Sequence, residues 1–134
     1  MASFSDYAED KILDHALSDG AWTEPANLFL ALCTSVPTDA STGTTIVEAN
    51  YTGYARIEIA ATDLSASSGG SKTNSAAITF AACTAGTSTV IGFALCDAVT
   101  VGNVIMWGTV TSKVIDTSNT PATVAIGALV ATLD

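Results

Sequence analysis

Between Pro25 and Asp39 the chain reads Pro-Ala-Asn-Leu-Phe-Leu-Ala-Leu-Cys-Thr-Ser-Val-Pro-Thr-Asp, an almost fully apolar run with a proline near each end. Nothing else in the sequence limits the fold as strongly. Leu28–Cys33 is too short for a typical helix. It is apolar at odd and even positions alike, so it lacks the alternation of a strand with one wet face. Its length and flanking breakers make it a strand buried on both sides. Such a strand needs a cover on each face, and the remaining residues have to supply both.

They have the material for it. At 134 residues the chain is the size of one ordinary domain, which buries roughly two-thirds of its unfolded surface. Hydrophobic residues make up 49% and charged residues 13%, and the rest is rich in Thr, Ser, Ala and Gly. That mixture suits a β-protein whose solvent face carries neutral hydroxyls. Thirteen acids against four bases give a net charge of -9, which repels phosphate backbones and argues against nucleic acid as a partner. No basic amphipathic patch suits a membrane surface, and no apolar run is long enough to span one. The N-terminus is acidic where a signal peptide is basic, so the expectation is a protein made and kept soluble in a cytoplasm, at least until assembly. Cys33, Cys83 and Cys96 lie among Ala, Leu and Thr without a Cys-x-x-Cys pair. They read as buried small hydrophobes, with neither a disulfide framework nor a zinc site.

The domain expectation is a single unit over 1–134, with a helix at 3–18, a sandwich at 25–134 and a long loop at 36–53. The helix is read from Phe4, Ala8, Ile12 and Ala16 at i, i+4 spacing, widened by Leu13 and Leu17. Ser3 or Ser5 caps it, Asp6 and Glu9 fall in its first turn, and Ser18-Asp19-Gly20 ends it. The polar stretch 36–53 reads as a loop with a short strand at Thr-Thr-Ile-Val, and loops this long are usually functional or ordered by a partner. Tyr54 to Ala60 alternates, with Tyr54, Arg56 and Glu58 on the wet face. Leu64–Thr73 reads as a connector, Asn74–Ala82 as a short strand, and Thr89–Asp97 as a strand in which Gly92 marks a bulge or close approach. Val104–Thr111 and Ala122–Leu133 complete the set, Gly127 being the weak point of the last. One helix followed by six to eight strands, with no helices between them, predicts a mainly β fold: an antiparallel β-sandwich, jelly-roll-like, with one N-terminal α-helix.

Catalytic chemistry has little to work with. His15 is the one histidine and falls near the polar side of the helix, where a solvated role is the ordinary one. No nucleophile elbow, phosphate loop or dinucleotide fingerprint occurs. Asp6, Glu9, Asp10 and Asp14 form an acidic helix face of the usual solvated kind, and the remaining Asp residues sit mainly at strand ends or turns. No catalytic, cofactor-binding or metal residues are therefore expected. Trp107 reads as core, whereas Trp22, Tyr51 and Tyr54 flank loops and suit an interface.

Taken in order, these segments resemble a family of small bacteriophage virion proteins of the kind labelled tail fibre or minor structural proteins. The resemblance runs from the acidic helix through Pro25-Ala-Asn-Leu-Phe-Leu-Ala-Leu and Pro37-Thr-Asp. It continues with Gly53-Tyr-Ala-Arg, Asn74-Ser-Ala-Ala-Ile-Thr-Phe, Ile91-Gly-Phe-Ala-Leu-Cys-Asp-Ala, Trp107-Gly and the closing Ala125-Ile-Gly-Ala-Leu to Asp134. Ser35-Val36 departs from it, where the family more often looks acidic. The resemblance implies a non-enzymatic virion protein. The leading expectation is a capsid decoration (cement) protein, a homo-oligomer that clamps the major capsid protein or other virion proteins. The alternative is a tail or tail-fibre component that meets the host surface, and a carbohydrate-active enzyme is a minor third. The expected interface residues are Phe4, Tyr7, Ile12, Leu13 and Trp22 around the helix, with Ile46, Val47, Tyr51 and Tyr54 in and after the loop.

Overall fold

The computed structural model describes residues 2–18 and 20–133, so Asp19 and Asp134 of the expectations above lie outside the described residues. In chain order the elements are β1 (Ala2–Phe4), α1 (Asp6–Ala16), β2 (Leu28–Cys33), β3 (Ile57–Ile59), β4 (Ser71–Thr73), β5 (Ile78–Thr79), β6 (Ser88–Cys96), β7 (Val104–Ile115), β8 (Thr123–Val124) and β9 (Val130–Thr132). A five-stranded antiparallel sheet runs β1-β7-β6-β2-β3, and β4–β9 and β5–β8 form separate antiparallel ribbons. The fold is mainly β with a single α-helix among the described residues.

β2 occupies the bounds set by its prolines and is covered on both faces. Leu30 and Leu32 point into the larger core, where they meet Ile59, Val90, Leu95 and Met106 of the same sheet. Ile78, Phe80, Ala122 and Leu129, on or beside the ribbons, close that core from the other side in a sandwich-like arrangement. Ala31 and Cys33 point the opposite way, into a small-residue cluster with Ala94, Cys96 and Val104. Ile46 and Trp107 pack against this second cluster. The three cysteines are buried and free.

β6 and β7 bend around two irregularities, one between Val90 and Gly92 and one between Leu95 and Cys96. Gly92 meets both expectations placed on it. A Cβ there would lie 3.1 Å from the Gly108 carbonyl oxygen and 3.1 Å from Pro37 Cδ, so a bare backbone lets the loop proline settle on the sheet.

Several local expectations are corrected. The helix is shorter than 3–18, because Ala2–Phe4 pairs with Met106–Gly108 as a strand. Ser5 is extended (φ -84°, ψ 161°) and caps the helix, its hydroxyl accepting from the Ala8 amide and donating to the Val104 carbonyl. The apolar spacing ran one member too far: Phe4 belongs to the sheet. The 36–53 loop holds isolated bridges, Thr42 to Asn103 and Cys33 to Glu48, and no strand at its centre. The strand expected over 54–60 keeps Ile57–Ile59, and Arg56, assigned to the wet face, is buried. The 64–73 connector ends in β4. β7 runs through Lys113 to Ile115, while the expected last strand divides into β8 and β9 at Gly127, whose φ of 74° suits glycine.

Candidate interaction surface

The helix and the 36–53 loop, the two segments expected to carry function, are joined. The Asp6 amide donates to the Asp39 carbonyl at 3.0 Å, and Trp107 Nε1 donates to Asp39 Oδ1 at 3.0 Å. One loop residue thus meets the first turn of α1 and the indole of β7. Ala8 is fully buried, and Pro37 is buried beside Gly92.

The far part of the loop is held by a charged clamp. Arg56 donates from Nε (3.1 Å) and Nη2 (2.7 Å) to Glu48 Oε1. Its Nη1 reaches the carbonyls of Ala98 and Val101, both at 2.9 Å, and Nη2 reaches that of Gly43 at 2.9 Å. One guanidinium therefore ties the β6–β7 turn, the loop and the residue before β3 together. It is the ion pair found among the described residues, with 3% of the Arg56 side chain and 24% of the Glu48 side chain exposed. A charged head surrounded by a carboxylate and three carbonyls is the arrangement that makes a buried arginine tolerable. Gly43 is required here: a Cβ would run into the Val101 carbonyl.

Tyr54 extends the clamp. Its hydroxyl donates to Glu48 Oε2 at 2.6 Å and accepts from the Leu32 amide at 3.1 Å, which connects the loop to β2. Burial, followed by the hydrogen bond to Glu48, pushes its phenol well above the ordinary range. The same cause pushes the Cys33 thiol up to about 12, the Glu48 charge and then Cys96 adding to it. Burial raises Cys96 to about 11, with the Arg56 charge pulling the other way.

The nine expected interface residues divide by this geometry. Leu13 (56% exposed) and Val47 (55%) face solvent. Phe4, Tyr7, Ile12, Trp22 and Ile46 are half-buried: Phe4 lies in β1, Ile46 packs on the small-residue cluster, and the Trp22 amide donates to His15 Nδ1 at 3.3 Å. Tyr51 and Tyr54 are corrected, for both turn inward. Tyr51 is 3% exposed and its hydroxyl donates to the Ala81 carbonyl at 3.2 Å. Its ring meets Tyr54 edge-on at 5.5 Å, and Tyr54 stacks on Phe80 at 6.3 Å. Aromatic rings beside a loop are core here because the loop folds back over the sheet.

Sequence reasoning missed the Glu48–Arg56 pair. The available signal was Gly53-Tyr-Ala-Arg, which places one of four bases next to an apolar strand. Of the expected solvated groups, His15 is exposed, as are Asp6, Glu9, Asp10 and Asp14. Among the described residues no group of His, Cys, Asp and Glu is placed to hold a metal ion, and no helix is long and apolar enough to cross a membrane.

The model of one protein family, described as podophage GP4 fiber I protein gp80, matches residues 3–132. The chain belongs to this family. It is a bacteriophage virion structural protein, in line with the resemblance read from its ordered segments. No curated protein matches it.

Proposed function

We propose that the chain is a non-enzymatic tail or fibre component of a bacteriophage particle, bound to other virion proteins and directed toward the host surface. The observation that carries this reading is the fibre-family match across residues 3–132. It favours the fibre position over capsid decoration, because the family description names a fibre. The carbohydrate-active alternative gains no support from the aromatic residues, since Tyr51 and Tyr54 pack inward and offer no platform for a sugar ring.

The attachment surface we propose is the outer side of α1 with the adjoining loop: Leu13 and Val47 at its exposed points, and Tyr7, Ile12, Trp22 and Ile46 around them. Phe4 is left out of it, since it pairs with Met106 and lines the opposite face of the sheet. The clamp at Arg56 holds the loop in one shape before any partner arrives, which lowers the ordering cost of binding. The proposal takes residues 1–134 as one domain, so unfolding is expected as a single transition. It also includes self-association, to be read by sedimentation of the purified chain.

Copy number and position test the reading. In purified particles the protein should be present in far fewer copies than the major capsid protein, and antibody against it should label the tail. Hundreds of copies spread over the shell would overturn the fibre reading in favour of decoration. Removing the N-terminal segment is a poor test of attachment, because it takes β1 out of the sheet. Surface changes such as Leu13→Asp are the better probe.

A further inference from the structure

A groove of about 390 Å³ lies between the β4–β9 ribbon and the five-stranded sheet. Leu28 and Leu95 of the sheet form one wall, Leu129 and Leu133 of the ribbon side form the other, and Phe4 of β1 stands at its rim. The volume falls within the range of small-ligand sites. Its exposed wall is almost entirely carbon.

Among the described residues, the groove's one charged lining residue is Lys72. Lys72 pairs across the ribbon with Ala131, which packs against the larger core, so both side chains rise from the same ribbon face. Lys72 is itself exposed, so its charge is free to meet water and a ligand head alike. This is a notable position for a base in a chain with 13 acids and 4 bases. Arg56, another of the four, is already committed to Glu48.

We propose that this groove binds a single-chain amphiphile with an anionic head, the alkyl chain lying between the leucines and the head meeting Lys72. Two physical reasons select this occupant. A peptide in the groove would bring an N–H and a C=O with every residue, and the carbon walls offer them few partners; an alkyl chain brings none. Lys72, the charged residue in the described lining, then selects an anionic head over a cationic one at short range. No bond is made or broken, and the site is separate from the loop clamp. The proposal stands whether the particle position is tail or capsid.

The test uses the full chain, isotope-labelled, titrated with decanoate, decanol and decyltrimethylammonium below their micelle concentrations. Decanoate should give saturable NMR shifts confined to groove residues such as Leu64, Lys72, Leu129 and Ala131. Lys72→Gln should weaken decanoate about threefold, as an exposed ion pair warrants, and leave decanol unchanged. Ala131→Leu, which fills the groove, should weaken all three. If that variant does not fold, paramagnetic broadening from a spin-labelled decanoate on the wild-type chain reads the same location. Absence of saturable shifts, tighter binding of the cationic amphiphile, or groove shifts produced by another virion protein and not by decanoate would each overturn the proposal.

Discussion

Replacing Arg56 by Met keeps an unbranched stem of similar length and removes the guanidinium, so it isolates what the clamp contributes. Five contacts are lost: two to Glu48 and one each to the carbonyls of Gly43, Ala98 and Val101. Hydrogen bonds from a charged donor contribute about 1.5–3 kcal/mol each, which sets the gross loss well above the net. The carbonyls sit in loops and regain some water, and Glu48 is partly exposed. The expected net is at the low end for breaking a buried pair, about 3–4 kcal/mol. For a chain of this size the unfolding entropy is about 0.28 kcal/mol/K, so the melting temperature should fall by about 11–14 °C. Calorimetry measures the drop, and hydrogen exchange should locate it, with protection lost first at the Gly43 and Asn103 amides. Glu48→Gln keeps an acceptor and should cost about 1–2 kcal/mol, with a coupling above about 0.5 kcal/mol in the double-mutant cycle. A buried pair is weakly screened, so adding salt should leave these differences nearly unchanged. A loss under about 1 kcal/mol for Arg56→Met, or zero coupling with Glu48, would refute the clamp as an energetic unit.

Further tests follow from other contacts. Asn74 is 1% exposed, and its amide group donates to the Ala76 and Ala125 carbonyls and accepts from the Leu129 amide. Asn74→Ala should cost about 3 kcal/mol by urea titration, at roughly 1 kcal/mol per lost bond. Cys33 and Cys96, pushed up to about 12 and about 11, should resist a thiol reagent at pH 8 in the native state and react on unfolding. Their folded pKa values lie above the ordinary value of 9.0, so the folded state holds the proton longer. Their contribution is complete below pH 9.0 and is lost as pH rises toward 12; alkaline melting curves should decline across that window. Leu13→Asp, on an exposed position in the last turn of α1 with Glu9 and Asp10 one turn back, should cost about 1 kcal/mol, leaving the fold intact while reducing incorporation into particles.

What could be read before folding was whatever depended on near neighbours. Pro25 and Pro37 bracket β2, and apolarity at both odd and even positions of Leu28–Cys33 requires two covers. The cap could be narrowed to Ser3 or Ser5 because capping is a matter of three residues, and the pairing of Ser3 in β1 left it to Ser5. Gly92 and Gly127 could be marked as breaks because glycine weakens any strand it interrupts. The capsid-or-tail choice had no such local signal, and the fibre alternative gained its support from the family match.

Tertiary structure decided everything that turned on a distant partner. Alternation at Tyr54–Ala60 separates two faces, but it does not say which face meets water. Arg56 goes inside because Glu48 and three loop carbonyls converge on it from positions up to 45 residues away. Phe4 has the spacing of a helix start and joins a strand because β7 offers an edge to Ala2–Phe4 and Val104 takes the Ser5 hydroxyl. Residues 122–133 alternate like one strand, yet β5 and β4 claim the two halves for different ribbons. Periodicity follows from the geometry of a single strand, whereas pairing and burial belong to the assembled sheet. β2 shows both: its two prolines set its limits, and the ribbons on one side and the loop on the other supply the covers it required.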